Sequence, residues 1–404
     1  MKASFFSLGN LFFWLALLSV PVRPSTEYPS GEWDHIIENE EFTEPLVLGE
    51  GDDNTLIINS VFHDIDGDAI VLGNVSNVHI KNCTIYEVNG NGIVLRSMQA
   101  TDTVTIDDCE IHDTALNGII AKQGPEEGVD HTRLIIKNNT FYSNGTTELD
   151  HALYILAQDS RIENNIIYKS TGNGISIRSS GIVTGNRIWD VNKSCIRYFS
   201  DNLKGPSNTL IVENNICHLT EVGSESPGIS LLLWKDTPLN WIVDNYIIRF
   251  NTVVMFTGQR TGIAVESEKL DSKNISVYGN IVVNTHNLQA TIHNEYIDYF
   301  SSNYLSTNLT GFIDAQKPPY DFHLTARSPA VEYANKELDF PTYDADGKLR
   351  AVGDLDAGAY QLTRNIFTLL SESSTDTSLL LLIILAVIYT GFISLKFIEK
   401  RKAI

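Results

Sequence analysis

"IENNII" (Ile162–Ile167) decides the fold, because the same frame keeps returning along the chain. An apolar residue is followed by two polar positions, an Asn, one free position and a second apolar residue. "IKNCTI", "IDDCEI", "IKNNTF", "VTGNRI", "VENNIC", "VDNYII", "YGNIV" and "SSNYL" all fit. The Asn position holds Cys83, Cys109, Asn139, Asn165, Asn186, Asn215, Tyr246 (or Asn245 with a one-residue slip), Asn280 and Asn303. Successive spacings run from 21 to 34 residues. Periods of that size mark stacked architectures, and a coil of about 21 residues suits three short strands and three turns. The flanking segments alternate apolar and polar and are rich in β-branched residues, as half-buried strands are.

These features describe a right-handed parallel β-helix, an all-β single-chain solenoid of about 9–11 coils. Equivalent side chains stack at about 4.8 Å per coil, so an inward Asn in each coil can satisfy the buried turn backbone of its neighbours. The Asn ladder and the "GxGIxL" strands resemble the pectin-lyase-like family of β-helix proteins over roughly 54–303. That likeness implies a fold that hosts lyases, hydrolases, epimerases and adhesins. Residues 25–53 are expected as a lead-in, 54–305 as the β-helix and 306–362 as a closing segment. Within that last part, "YDADGKLRAVGDLDAGAYQ" is similar to the terminal segments of bacterial surface β-helix proteins and is expected to cover the last open coil.

Both ends carry targeting signals. Residues 1–24 read as a secretory signal, with Lys2 ahead of "LFFWLALLSV". After a Ser/Thr-rich linker at 363–377, the uncharged run 378–395 is long enough to cross a membrane, and the basic tail 396–404 follows it. The positive-inside rule puts that tail in the cytoplasm and the body at the extracytoplasmic cell surface, held by one C-terminal helix. A net charge of −21 supplies no basic stripe for nucleic acid, so no such partner is expected.

The chemistry is sought on the strand that follows each Asn-Gly-like turn. Counted from its small residue (Ala69, Gly92, Gly118, Ala152, Gly174, Cys195, Gly228, Gly262), positions two and four should face outward. Arg96, Lys122, Tyr154, Arg178 and Arg197 then fall on consecutive coils as one stripe, about 14 Å from Lys122 to Arg197. Such a stripe suits an acidic polysaccharide. Arginine pairs with a uronate carboxylate and acidifies the C5 proton, a base removes that proton, and an acid protonates the leaving oxygen. Arg178 and Arg197 are the expected neutralisers; His151, Tyr154 and Lys122 share the base and acid roles; Arg96 and Asp150 assist binding. His151 also fits a polar turn column, Asp68, Asn91, Asn117, His151, Asn173 and Ser194, where it would bond turn backbone.

A second column, His63, Tyr86, His112, Tyr142, Tyr168, Trp189, His218 and Arg249, could stack on sugar rings or only on itself. Tyr168 and Trp189 are its candidates for substrate contact. Asp64, Asp66 and Asp68 alternate as a calcium site would, although ordinary turn roles fit them too; no other cofactor is expected. Cys83 and Cys109 share the ladder position of adjacent coils and are candidates for a disulfide, whereas Cys195 and Cys217 occupy different frame positions and read as single buried thiols. A lyase is the favoured activity. A non-catalytic glycan-binding or adhesin role is the alternative, and a C5-epimerase or glycoside hydrolase comes third.

Overall fold

The computed structural model describes residues 31–122, 131–199, 202–220, 226–232, 238, 241–256, 261–265, 273–293, 296–335, 337–350 and 353–362. The signal segment, the linker, the apolar run 378–395 and the basic tail lie outside the described residues. Among those described, no helix is long and apolar enough to cross a membrane.

The chain winds through three parallel sheets in strict rotation. Sheet A stacks eleven strands in line, from His35–Glu38 to Tyr299–Ser301, with two short extra strands alongside. Sheet B stacks eleven, from Glu41–Phe42 to Tyr304–Ser306, and sheet C stacks ten, from Leu46–Leu48 to Ile292–His293. Among the described residues the β-helix therefore has ten three-strand coils and a partial last one. Its first coil (His35–Leu48) lies ahead of the expected start at residue 54 and pairs in register with the next coil. Inward Ile, Val and Leu from all three sheets form one continuous core.

The corner from sheet A to sheet B explains the Asn-rich frame. The residue before each ladder position takes a left-handed backbone, as at Asn82, Asn138, Asn164, Gly185 and Asn214. Asn and Gly tolerate that conformation best. The ladder Asn then points inward. Asn186 accepts from the backbone N–H and side-chain amide of Asn165 at 3.0 and 2.9 Å. It donates to Ile162 O at 2.9 Å and to Asn215 Oδ1 at 2.9 Å. The same pattern runs through Asn139, Asn165, Asn215, Asn251, Asn280 and Asn303. Asn251, in "IRFNTV", is the rung where the sequence frame placed Tyr246 or Asn245. Tyr246 instead points into the core from sheet A, against Tyr198. The slip also misplaced Arg249, which stands beside Glu213 on sheet A, while Val254 follows His218 on sheet B.

The cysteines pair the other way from expectation. Cys83 and Cys109 are free, buried thiols that serve as ladder rungs: Cys83 N–H donates to Cys109 Sγ at 3.5 Å, and Cys109 N–H to Asn139 Oδ1 at 2.8 Å. The disulfide joins Cys195 and Cys217, Cα atoms 5.9 Å apart, across the core side of the corner between sheets B and C.

The segment after residue 306 runs along the flank of the solenoid. A hairpin, Phe312–Asp314 with Asp321–Leu324, leads into it. Phe322, Leu324, Ala330, Ala357 and Ala359 then cover the outward face of sheet B at Ile216, Val254, Ile281 and Val283. Here the outer column of sheet B has turned from aromatic to aliphatic, and the segment removes that apolar face from water. Arg350 clamps it: its buried guanidinium donates to Asn214 Oδ1 and to the carbonyls of Gly358 and Ala359, over the ring of Phe250.

Candidate functional site

Sheet C carries the cationic face. Each small residue that opens a strand is packed against the next coil; a Cβ on Gly118 would sit 2.7 Å from Ala152 O and 3.1 Å from Phe141. The strands pair in register, Ile120 with Tyr154, Tyr154 with Ser176, Ser176 with Arg197 and Arg197 with Ser230. The N–H groups of Lys122, Leu156, Arg178 and Phe199 each bond the preceding coil, at 2.8–3.2 Å. The two outward columns are thus held in fixed order.

The centre of the face is Arg178. Its guanidinium carbon lies 4.5 Å from the Tyr154 ring centroid and 4.7 Å from that of Phe199, a sandwich between two aromatic faces. Its Nε donates to Ser176 Oγ at 3.1 Å, and the residue is only 8% exposed. Arg197 lies 5.7 Å from the same Phe199 ring. Desolvated guanidinium–ring contacts of this kind are worth about 2 kcal/mol. They hold the cation in place between the two rings.

His151 stands beside this cluster, its ring edge-on to Tyr154 with centroids 5.4 Å apart. It is 5% exposed and is a rung of the turn column. Asn91 N–H donates to Asp68, Asn117 N–H to Asn91 and His151 N–H to Asn117, at 2.8–3.0 Å. Asn173 N–H then donates to His151 Nδ1 at 3.1 Å, and Ser194 N–H to Asn173. The imidazole does an asparagine's work. Burial, then the charges of Arg178, Lys193 and Arg197, push its pKa down to about 3. It is neutral at ordinary pH, with its Nδ1 lone pair already committed.

The same charges reveal a member that the sequence frame overlooked. Lys193, in the turn ahead of Ile196, bonds Glu148 at 3.4 Å and faces His151 closely enough to depress it. Phe199 and Ser176 also belong to the cluster, although their types gave no chemical signal.

Other candidates lie apart. Lys122 is two coils from Arg178, about 10 Å, with buried Leu156 between them. Buried His131 donates from Nε2 to Lys122 O at 2.8 Å and accepts from Thr101 Oγ1 at Nδ1 at 2.9 Å, so the backbone there is pinned. Arg96 is exposed one coil further away. Asp150 Oδ2 accepts from the N–H groups of Thr146 and Thr147 and from Thr147 Oγ1, bracing its own turn. Tyr168 and Trp189 sit on sheet B inside a seven-ring stack, His63–Tyr86–His112–Tyr142–Tyr168–Trp189–His218, with centroids 4.4–5.8 Å apart and planes within 10°. Both faces of each of these two rings are covered by neighbours, so neither can stack on a sugar.

The calcium set is not formed. Asp64 bonds His63, Asp66 lies 3.5 Å from Asn89 Nδ2, and Asp68 accepts from the backbone and amide of Asn91. The left-handed backbone at Asp64 and the positive φ of Gly67 break the alternation that would have aligned the three carboxylates. Among the described residues no group of three or more His, Cys, Asp or Glu is placed to hold a metal.

A three-sheet parallel solenoid with an inward Asn ladder defines the class. The model of the family described as right handed beta helix region matches residues 30–147 and 98–308, and the chain belongs to that family. Among solved structures, the chain is similar to the Azotobacter vinelandii mannuronan C-5 epimerase AlgE6 A-module, at 15% identity over 67% of this chain and 75% of that one, TM-score 0.48. It is similar to pectate lyase Pel9A at 11% identity over 84% and 85%, TM-score 0.44. It is also similar to the PL6 family polysaccharide lyase Pedsa3628 from Pseudopedobacter saltans at 12% over 82% and 96%, TM-score 0.37. At these values the likeness extends to coil architecture alone. No curated protein matches the chain in sequence.

Proposed function

We propose that the outer face of sheet C binds an acidic, uronate-containing polysaccharide and cleaves it by β-elimination. The observation that carries this is the gathering of Arg178, Arg197 and Lys193 about His151, with Arg178 over the Tyr154 ring and Arg197 beside Phe199, in a chain whose net charge is −21. A local cationic face against that global charge suits a polyanion, and its field steers one in. Arg178 and Arg197 pair with the uronate carboxylate and take up the negative charge that develops as the C5 proton leaves. The C–H electron pair forms the C4–C5 double bond, the C4–O bond breaks, and a proton returns to the leaving oxygen. Tyr154, under the Arg178 guanidinium, takes the C5 proton and returns it to the leaving oxygen, and Lys122, two coils from Arg178, contacts the neighbouring sugar rather than the reacting centre. His151, whose Nδ1 is committed to the Asn173 N–H, positions the Tyr154 ring. The apolar run 378–395 holds this body at the outer surface of a membrane.

The test is incubation of the full-length chain with polygalacturonate, alginate and hyaluronan while following the ultraviolet absorbance of the unsaturated product. New absorbance that disappears in Tyr154→Phe and Arg197→Ala supports elimination. Solvent deuterium entering C5 without new absorbance would replace the lyase by an epimerase. Binding that Arg197→Ala abolishes, with neither signal, would leave a non-catalytic glycan receptor.

A further inference from the structure

The flank of the solenoid holds a second cleft, on the corner between sheets A and B and away from the cationic face. It has a volume of about 990 Å3 and lies between that corner and the segment Phe340–Gly347. Its floor spans the coils of Asn138, Asn164, Gly185 and Asn214, three coil steps or about 14 Å. Past Ile166 and Arg187 it continues into a more apolar cleft of about 620 Å3 beside Trp189, Tyr320 and Phe322.

The walls are fixed before any ligand arrives. Asn214 Nδ2 donates to Tyr343 O at 2.7 Å. Arg187 and His323 bond the two oxygens of Asp346, at 2.9 and 2.7 Å. Asp344 braces its own turn by accepting from the N–H groups of Asp346, Lys348 and Gln361.

Charge separates this cleft from the face on sheet C. Each arginine that lines it is already paired: Arg161 with Glu163, Arg187 with Asp346, and Arg249 with Glu213. With Glu163, Glu213, Asp344 and Asp346 set against three arginines, the lining offers an anion no net positive charge. A neutral polyol needs no such charge: Arg161 and Arg187 are each paired through Nη2 of a guanidinium that has five donors, and Glu163 and Glu213 each accept their arginine on a carboxylate of about four lone-pair sites. Planar groups of both kinds suit vicinal hydroxyls. The apolar side of a sugar also has a ring to meet: Tyr343 is 57% exposed at the rim. This differs from Tyr168 and Trp189, whose faces are covered.

We infer that this cleft is a binding site for a neutral oligosaccharide of about two to three rings, independent of the cationic face. It would hold an uncharged stretch or neighbouring glycan while sheet C engages uronates. It rests on none of the residues proposed for elimination.

The probes are hexasaccharides of glucose, mannose, galactose and xylose, with a uronate hexasaccharide for comparison, titrated calorimetrically into the full-length chain. At least one neutral probe is expected to bind, with an affinity nearly unchanged by salt. Tyr343→Ala should weaken it about tenfold, the size of one lost ring contact. Arg161→Ala should weaken it as well, and Arg197→Ala should leave it intact. Tyr343 and Arg161 are both well exposed, so at least one variant is expected to keep the parent's thermal midpoint. The inference is overturned if no neutral probe binds, if binding survives both variants, or if it is lost in Arg197→Ala. Failure of the elimination assay leaves this result unaffected.

Discussion

Replacing His151 by Asn separates a structural imidazole from a catalytic one. In the turn column, Asn91, Asn117 and Asn173 each accept the next N–H through Oδ1, and His151 does so through Nδ1. His151→Asn therefore restores the pattern of its neighbours and should fold. His151→Ala leaves the Asn173 N–H buried and unsatisfied, a cost of about 1–3 kcal/mol. The pH dependence is the sharper readout. The pKa of His151 falls from 6.5 to about 3 on folding, burial first and the nearby cations second. The unfolded chain then binds one more proton than the folded chain between those values. Stability from this group is complete above pH 6.5 and is lost as pH falls toward 3, at about 1.4 kcal/mol per unit. Between pH 6 and pH 4.5 the wild type should lose about 2 kcal/mol that His151→Asn retains. Urea unfolding of both proteins across that range measures the difference directly, because the carboxylates and the other histidines are common to both. On the polysaccharide, His151→Asn should lower turnover only a few-fold; losing a general base costs about 10²–10⁴-fold. Parallel pH profiles would refute the buried neutral rung, and a loss of the larger size would return the base role to His151.

Other perturbations test neighbouring steps. Arg178→Ala should move the His151 titration upward, read by histidine resonances in NMR; an unmoved pKa would mean that the guanidinium does not face the ring. Asn186→Ala orphans the Asn165 N–H and the Ile162 carbonyl, so unfolding should cost about 4 kcal/mol less in a denaturant titration. Cys217→Ser opens a cross-link of sequence separation 22, worth roughly 3 kcal/mol by loop closure, while Cys83 and Cys109 should resist alkylation until the chain unfolds.

The coil stack was legible because each rung repeats one demand. A left-handed corner followed by an inward amide leaves Asn-Asn or Gly-Asn in the chain, as in five of the nine frames, and such pairs with strand periodicity admit few other folds. The frame failed at "VDNYII", where Asn245 lies six residues ahead of the true rung Asn251, and one slip displaced both Tyr246 and Arg249. Outward columns on sheet C were legible for the same reason as the ladder: alternation fixes direction within a strand. Turn residues have no such rule. Lys193 escaped notice on that account, and His151 could be placed in its column without its ring direction.

Contacts between columns were the least visible. Register aligns Cys83 with Cys109, so adjacency suggested a bond there, yet those sulfurs continue the ladder as acceptors and donors to backbone. Cys195, just ahead of a sheet C strand, and Cys217, on sheet B of the next coil, meet only because both are buried at one corner. The same reasoning applies to Arg178: its column placed it on the outer face, but its sandwich between Tyr154 and Phe199 joins two columns across three coils. In a solenoid, sequence period resolves what repeats along the axis, and function collects where unlike columns touch. A useful rule for this fold follows from that geometry. Candidate sites should be sought at pairs of neighbouring columns that break their own pattern in adjacent coils, as His151 and Tyr154 do in one coil and Arg178 and Arg197 do in the next two.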